Sequence, residues 1–302
     1  MNPAQRRKVY LLAYPAGHSV SPVMHQAAFD HLGLDADYRA LEVTPDALQA
    51  TIAGFREATE FMGANVTVPH KRAVMPLLDE LSSDAASIGA VNTITRSAGR
   101  LVGSNTDAAG FSRAFAELWP VASREPGAEV LLLGAGGSAR AVAWALAHEG
   151  LRVGISARRP AAAVELVEDL KQVMRYASGS LTAIAEGEAA DWLERCHALV
   201  NSTPVGMVGG AAPAASPAPG PLVYMRPDAV VYDLVYRPAL TPLLAEAAAL
   251  DLRLANGLSM LVWQGALSFS TWTAREAPVA VMAAAAGAAL GRASPVEASD
   301  ET

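Results

Sequence analysis

The stretch that most constrains the fold is the step from Val130-Leu131-Leu132-Leu133 into Gly134-Ala135-Gly136-Gly137-Ser138-Ala139. Four consecutive apolar residues without alternation fit a strand covered on both faces, as in a parallel sheet between helices. The glycines then turn the chain, and Ser138 to His148 has helical spacing. Together these residues match G-x-G-x-x-G/A, with Ala139 at the third small position. Gly134 permits the tight turn and Gly136 lets backbone approach a pyrophosphate. Ala139 lets the helix pack on the strand, while Ala135, Gly137 and Ser138 complete a helix N-terminus whose free N–H groups face phosphates. A chain carrying this unit is an α/β protein that binds a dinucleotide.

The next strand, Arg152–Ser156, selects between dinucleotides. An NAD site places an acid against the ribose 2′-hydroxyl about 20 residues after the first glycine. Here that place holds Ala157-Arg158-Arg159, with no acid. Two guanidiniums suit a 2′-phosphate, which they can grip through charge-assisted, bidentate bonds, so the pattern predicts NADP (NADPH).

Upstream, the sequence predicts a first α/β unit. Its strands are Val9–Ala13, Tyr38–Val43 and Ala64–Val68, with a hairpin of Val91–Thr95 and Leu101–Ser104 turning on Ser97-Ala98-Gly99. Helices are expected over Pro22–Leu32, capped by Ser21, from Pro45 to about Phe61 behind Thr44, and in stretches from Lys71 to about Ile88. A long helix from Asp107 leads towards Trp119, and a proline-containing break spans Pro120 to Gly127. Beyond the glycine turn come a helix over Ala163–Tyr176 and strands at Leu199–Val200 and Ala229–Leu234. A Gly/Ala/Pro-rich surface loop covers Met207–Leu222, and helix resumes from Leu258.

Composition narrows the function. The 302 residues are 52% hydrophobic and 18% charged, with a net charge of -7, which argues for a substantial core and against a nucleic-acid surface. The single cysteine, Cys196, allows no disulfide framework and no thiolate metal cluster, so no metal is expected. The apolar run after Arg6-Arg7-Lys8 is too short for a signal peptide, and the alanine-rich Pro278–Leu290 too short for a membrane span. The expectation is a cytoplasmic protein without membrane partners, acting on a small molecule.

Polar residues recur where core packing would not ask for them. His18-Ser19-Val20-Ser21-Pro22 and Asn65-Val66-Thr67-Val68-Pro69-His70-Lys71 lie at strand ends, followed by Gly89-Ala90-Val91-Asn92-Thr93 and Asn105-Thr106-Asp107. Later come Asn201-Ser202-Thr203-Pro204-Val205-Gly206-Met207, Tyr232-Asp233-Leu234-Val235-Tyr236 and Asn256-Gly257-Leu258-Ser259-Met260, running on to Gln264. In this order, around the Gly134–Arg140 turn, they resemble the shikimate dehydrogenase family over most of the chain, from about Val9 to Trp272.

The resemblance implies a catalytic pair, Lys71 and Asp107, and a substrate carboxylate held by Ser19 and Ser21. It further implies that Thr67, Asn92, Asp107, Tyr236 and Gln264 contact substrate hydroxyls, and that Thr203, Leu234, Gly257 and Met260 lie near the nicotinamide. Chemistry agrees with the division of labour. Reducing a ketone by hydride builds charge on oxygen, which needs a cation or proton donor within reach. The implied layout is a substrate domain of residues 1–110 and 257–302 with a Rossmann domain of 111–256 inserted, as monomer or homodimer. The implied reaction is reversible NADPH-dependent reduction of 3-dehydroshikimate.

Three positions depart from the family pattern. Ala157-Arg158-Arg159 stands where Asn-Arg-Thr is common, Ser104 where an acid is frequent, and Ser259 where glycine is common. The alternatives are an NAD-using quinate/shikimate dehydrogenase, against which the missing acid counts, and a non-catalytic NADP-binding regulatory protein. Methylenetetrahydrofolate dehydrogenases share the two-domain plan but not the Ser19/Ser21 and Asn105–Asp107 motifs. Replacing Arg158 and Arg159 together by Ala is expected to raise the KM for NADPH sharply and leave that for NADH unchanged in steady-state assays. Equal effects on both would remove them from the 2′-phosphate site.

Overall fold

The computed structural model describes residues 6–17, 19–174, 179–185 and 187–292. His18 and the expected helix end at Tyr176 lie outside the described residues. In chain order the N-terminal elements are β1 (Arg7–Ala13), α1 (Ser21–His31), β2 (Ala36–Glu42), α2 (Leu48–Glu57), β3 (Phe61–Val66), β4 (Glu80–Leu81), α3 (Ser83–Ile88), β5 (Thr93–Ser97), β6 (Arg100–Ser104) and α4 (Asp107–Leu118). They are followed by β7 (Glu129–Leu133), α5 (Gly137–His148), β8 (Arg152–Ser156), α6 (Pro160–Val173), β9 (Ser180–Ala183), α7 (Ala189–Arg195), β10 (Ala198–Asn201), β11 (Val230–Asp233), α8 (Pro242–Ala249) and β12 (Arg253–Asn256). Two helices, α9 (Leu258–Thr273) and α10 (Val279–Arg292), close the described chain.

The strands form two sheets of six. The first has the order β2-β1-β3-β5-β6-β4. Its neighbours pair in parallel except β5, which runs antiparallel to both β3 and β6. The second, β12-β11-β10-β7-β8-β9, is parallel throughout. Counted from β7, this is the doubly wound order in which the chain reverses direction across the sheet between β7 and β10. A ligand crevice forms at that point, at the carboxyl ends of the strands. The glycine turn follows β7 directly.

Some expected elements form differently. Lys71 to Ile88 is mostly not helix: a 3₁₀ turn at Met75–Leu77 is followed by the edge strand β4, and only then by α3. Pro76 cannot sit inside a continuous helix. Asp79 also ties this segment to β6, its N–H donating to Leu101 O and its carboxylate accepting from Leu101 N. Ser82 caps α3 by accepting from Ala85 N. The helix expected to reach Phe61 ends at Glu57, because Phe61, fully buried, opens β3 beside β1. Ser21 is the first residue of α1 rather than its cap, and its side chain faces Ser19. Elements β9, α7, α8 and β12 go beyond the sequence expectation.

Two helices join the halves. Helix α4 leads from the first sheet to the second, α9 leads back, and they cross closely. A Cβ on Gly110 would lie 2.7 Å from the Gln264 backbone nitrogen, so only glycine allows this approach. The start of α9 puts Met260 among Val130, Leu132, Phe111 and Phe115 of the cofactor-side core. Farther along, Val262, Ala266 and Phe269 pack with α1 and β1 in the other core. Among the described residues no helix is long and apolar enough to cross a membrane.

That second core contains a histidine. His25 on α1 is fully buried, its ring stacked on Tyr38 at 4.4 Å and both ring nitrogens without a hydrogen-bond partner. Burial pulls its pKa down to about 3, so the folded protein holds it neutral. Between that value and the ordinary 6.5 the unfolded chain binds a proton that the folded chain refuses, so stability falls as pH drops through this window. Urea denaturation at pH 7, 5 and 4 is expected to show a smaller acid loss for His25→Phe than for the parent. Parallel losses would exclude His25 as a source.

Candidate active site

Topology gathers the polar motifs before any side chain is considered. The carboxyl ends of β1, β3 and β6 and the amino end of β5 share one edge of the first sheet. That edge carries Ser19 and Ser21, Thr67 and Lys71, Asn105 to Asp107, and Asn92. The common carboxyl edge of the second sheet carries the glycine turn after β7, Thr203 after β10, Leu234 after β11 and Gly257 after β12.

The two edges meet at Lys71. Its Nζ lies 2.5 Å from Asp107 Oδ2 and donates to Ser138 Oγ at 3.2 Å. A Cβ on Gly137 would come within 3.1 Å of the Lys71 stem, so the lysine lies against the glycine turn. Lys71 and Asp107 are 8% and 4% exposed. Two charges this dry are stable only when paired and otherwise hydrogen-bonded. Asp107 meets that need at the N-terminus of α4, where the helix dipole favours a carboxylate and its own N–H donates to Asn105 Oδ1.

The second carboxylate oxygen is held by Asn92, whose Nδ2 donates to Asp107 Oδ1 and Thr106 Oγ1, each at 2.8 Å, and to Gln264 Oε1 at 3.2 Å. Asn92 Oδ1 accepts from Thr106 N and Thr93 Oγ1. Beneath them Ser268 of α9 lies 2.7 Å from Thr93 Oγ1 and accepts from Asn65 Nδ2, while Asn65 Oδ1 accepts from the Tyr38 hydroxyl. The buried chain Tyr38, Asn65, Ser268, Thr93, Asn92 thus runs from the core to Asp107. Sequence reasoning missed Ser268 and Tyr38, which no motif marks, and named Thr93 only as part of the motif around Asn92 without a role; the three converge from α9, β2 and β5.

A second group forms around the serines. Ser19 Oγ donates to Ser21 Oγ at 3.1 Å. Tyr236, following β11, is half-buried; burial pushes its pKa up, and the nearby Ser19 hydroxyl partly opposes that. Thr67 is half-buried, its backbone bonded to Leu12 O.

The cofactor side is shaped by the missing side chains. Gly134 adopts φ +110°, which suits glycine. A Cβ on Gly136 would meet nothing within 4 Å, so this exposed turn has room for a ligand over the N-terminus of α5. Ala139 is fully buried against the sheet. A Cβ on Gly257 would fall 2.0 Å from Leu234 O, so glycine keeps these strand ends together. Asn201 donates to buried Asp233 and accepts from the Thr203 N–H and hydroxyl, which fixes the loops carrying Thr203 and Leu234. Arg158 and Arg159 stand exposed after β8, free to meet a phosphate from solvent. These features fit a dinucleotide lying along the sheet edge with its 2′-phosphate at the arginines.

Two of the departures acquire locations. Ser259 turns away from the crevice and donates to Glu117 Oε2 at 2.6 Å, while Trp263 Nε1 donates to Glu117 Oε1 at 2.7 Å. The hydroxyl therefore fastens α9 to α4. Ser104 is half-buried, its hydroxyl covered and unpartnered among the described residues.

Comparison with known proteins agrees with this geometry. Residues 11–94 match the family model for the shikimate dehydrogenase substrate binding domain, and residues 257–286 the model for the shikimate 5′-dehydrogenase C-terminal domain. The chain is 44% identical to the shikimate dehydrogenase (NADP(+)) of Salinibacter ruber, over 92% of this chain and 96% of that one. It is 43% identical to that of Methanopyrus kandleri, over 92% and 94%. A crystal structure of shikimate 5-dehydrogenase from Thermus thermophilus in complex with NADP(H) and shikimate superposes with a TM-score of 0.79 at 38% identity, covering 94% of this chain and 100% of that one. With its two sheets, its glycine turn and the buried Lys71–Asp107 pair between them, the chain belongs to the shikimate dehydrogenase family.

Proposed function

We propose that the chain is an NADP-dependent oxidoreductase that interconverts 3-dehydroshikimate and shikimate, a step in making aromatic amino-acid precursors. The observation that carries this reading is the Lys71–Asp107 contact at the glycine turn, between residues far apart in sequence. The names of the relatives point the same way. A regulatory protein without catalysis would have no need to keep a buried ammonium–carboxylate pair, costly to desolvate, at the cofactor edge.

In this reading Ser19 and Ser21 bind the substrate carboxylate through their hydroxyls, with Tyr236 closing over them. Thr67, Asn92 and Gln264 meet the ring hydroxyls, so an analogue lacking one would leave a buried group unpaired and be rejected strongly. NADPH, when bound, supplies the hydride. Gly134, Ala135, Gly136, Gly137, Ser138 and Ala139 seat its pyrophosphate, Arg158 and Arg159 its 2′-phosphate, and Thr203, Leu234, Gly257 and Met260 its nicotinamide end. Lys71 meets the charge that grows on the ketone oxygen and gives it a proton. Asp107 holds the lysine in place and joins it in the proton exchange with solvent. The substrate unit is residues 1–110 with 257–302, the cofactor unit 111–256, and closure about α4 and α9 excludes water. The protein works in the cytoplasm, as monomer or homodimer.

Lys71→Ala is expected to lower kcat for NADP+ reduction with shikimate by about 10²-fold or more, the usual worth of a general acid–base group. Near-parental kcat would remove Lys71 from the mechanism. The same assay with NAD+ and quinate separates this reading from the quinate/shikimate alternative, which requires turnover with that pair.

A further inference from the structure

The glycine turn ends in a residue that the cofactor reading does not use. Arg140 lies in the first turn of α5, its N–H bonded to Gly136 O, yet its guanidinium points away from the turn and into the other half of the molecule. Nε donates to Ile88 O at 2.7 Å, and Nη1 pairs with Asp169 of α6 at 2.9 Å. Nη2 occupies the space that a side chain at residue 89 would take, since a Cβ on Gly89 would lie 2.8 Å from it. Arg140 is 4% exposed, and burial pulls its pKa below the usual arginine value although Asp169 opposes this. The other charges facing it are Glu165 on the same helix α6 and Arg72, which follows Lys71 and pairs with Glu165 at 3.0 Å.

What the guanidinium holds is the segment that builds the site. Ile88 O is the last carbonyl of α3, where Gly89 turns the chain at φ +70°. From there every residue is tied to the catalytic groups. Ala90 O accepts from Asn105 Nδ2 at 2.9 Å, Val91 N donates to Lys71 O at 2.8 Å, and the Asn92 amide grips Asp107. In the same first turn of α5, Ser138 and Gly137 lie against Lys71 itself. The helix that seats the pyrophosphate is therefore bonded at two points to the frame of the proton-donating pair. A buried charge is a poor way to gain stability, because an apolar contact of the same size would do as well or better. Fork geometry gives direction instead: one guanidinium fixes a carbonyl and a carboxylate at once.

We propose that Arg140 is a positioning residue for the Lys71–Asp107 pair, binding helix α5 to residues 88–92 so that the pair stands at a fixed place against the cofactor turn. This rests on the reading of Lys71 and Asp107 as the reacting groups. Arg140 is bonded to neither Lys71 nor Asp107 and acts through Ile88 and the segment after it.

The test uses the full chain with Arg140→Lys, Arg140→Met and Asp169→Asn, and Lys71→Ala as a separate arm. The measurements are kcat, KM for NADPH, the pH profile of kcat, melting temperature, and the rate at which Lys71 is labelled by an amine-reactive reagent, read by mass spectrometry. Misplacing reacting groups by a fraction of an ångström is costly, so both Arg140 variants are expected to lose about 10-fold or more in kcat. KM for NADPH should stay within about 3-fold, since uniform binding of the cofactor is untouched. The pH profile should shift and Lys71 should label faster, with Asp169→Asn showing smaller changes in the same direction. Should Arg140→Met not fold, the Lys variant and Asp169→Asn carry the same test. A folded Arg140 variant with parental kcat, pH profile and Lys71 labelling overturns the proposal, whatever its melting temperature. So does a loss confined to KM for NADPH, which would make Arg140 a phosphate ligand. An active Lys71→Ala sinks the underlying reading and the positioning role with it; an inactive one beside unchanged Arg140 variants sinks the positioning role alone.

Discussion

The structure depends on keeping an ammonium and a carboxylate out of water and in contact. Desolvating either ion alone would cost several kcal/mol, so each needs the other and a full set of neutral partners. Lys71 follows β3 and Asp107 follows β6, on either side of β5 at one edge of the first sheet, and the contact exists only if β3, β5 and β6 pair in register. Asn92 serves both sides of this arrangement. Its side chain grips Asp107, and its backbone joins the ladder, its N–H donating to Ser104 O and its O accepting from Val66 N. Sheet register and active-site geometry are thus the same constraint. The hydroxyl chain through Thr93 and Ser268 extends it to α9, so polar groups that would be liabilities in a core are each satisfied by another.

The second sheet answers to a different requirement, closeness of backbone to ligand and of backbone to backbone. At Gly134, Gly137 and Gly257 a methyl group would strike Ser202, the Lys71 stem or Leu234 O. The same economy governs the junction of the halves, where Gly110 lets α4 lie against α9 and Glu117 binds Ser259 and Trp263 of that helix. Arg113 over the Trp263 ring adds to this clamp. Ser259, a departure from the family's glycine, thereby strengthens the joint instead of intruding on the crevice.

The elements read well from sequence were those whose local pattern and tertiary role agree. The run Val130–Leu133 is apolar because it is buried on both faces, and the hairpin of β5 and β6 was visible because Ala98-Gly99 is turn chemistry. Lys71 to Ile88 misled because alanine and leucine spacing there looks helical, while Pro76 and pairing with β6 break it into a turn, an edge strand and a short helix. Strands β9 and β12 have four residues each, too few to show a period, and exist because the sheet edges beside β8 and β11 needed partners. In the site, Ser19, Lys71, Asn92, Asp107 and Gln264 were legible because they sit in motifs. Ser268, Tyr38 and the outward reach of Arg140 were not, because nothing local distinguishes a helix serine that packs on solvent from one that accepts a buried amide.

Residue types at fixed spacing were enough to give the α/β class, the strand–glycine turn–helix unit after β7, and the family. The meeting of Lys71 with Asp107 and Ser138, the hold of Asn92 on Asp107, and that of Arg140 on Ile88 became visible only in the assembled molecule. The reason is physical. A local pattern fixes which groups a turn or strand end offers, whereas their partners are set by which strands become neighbours, and that choice is made by burial of the whole core.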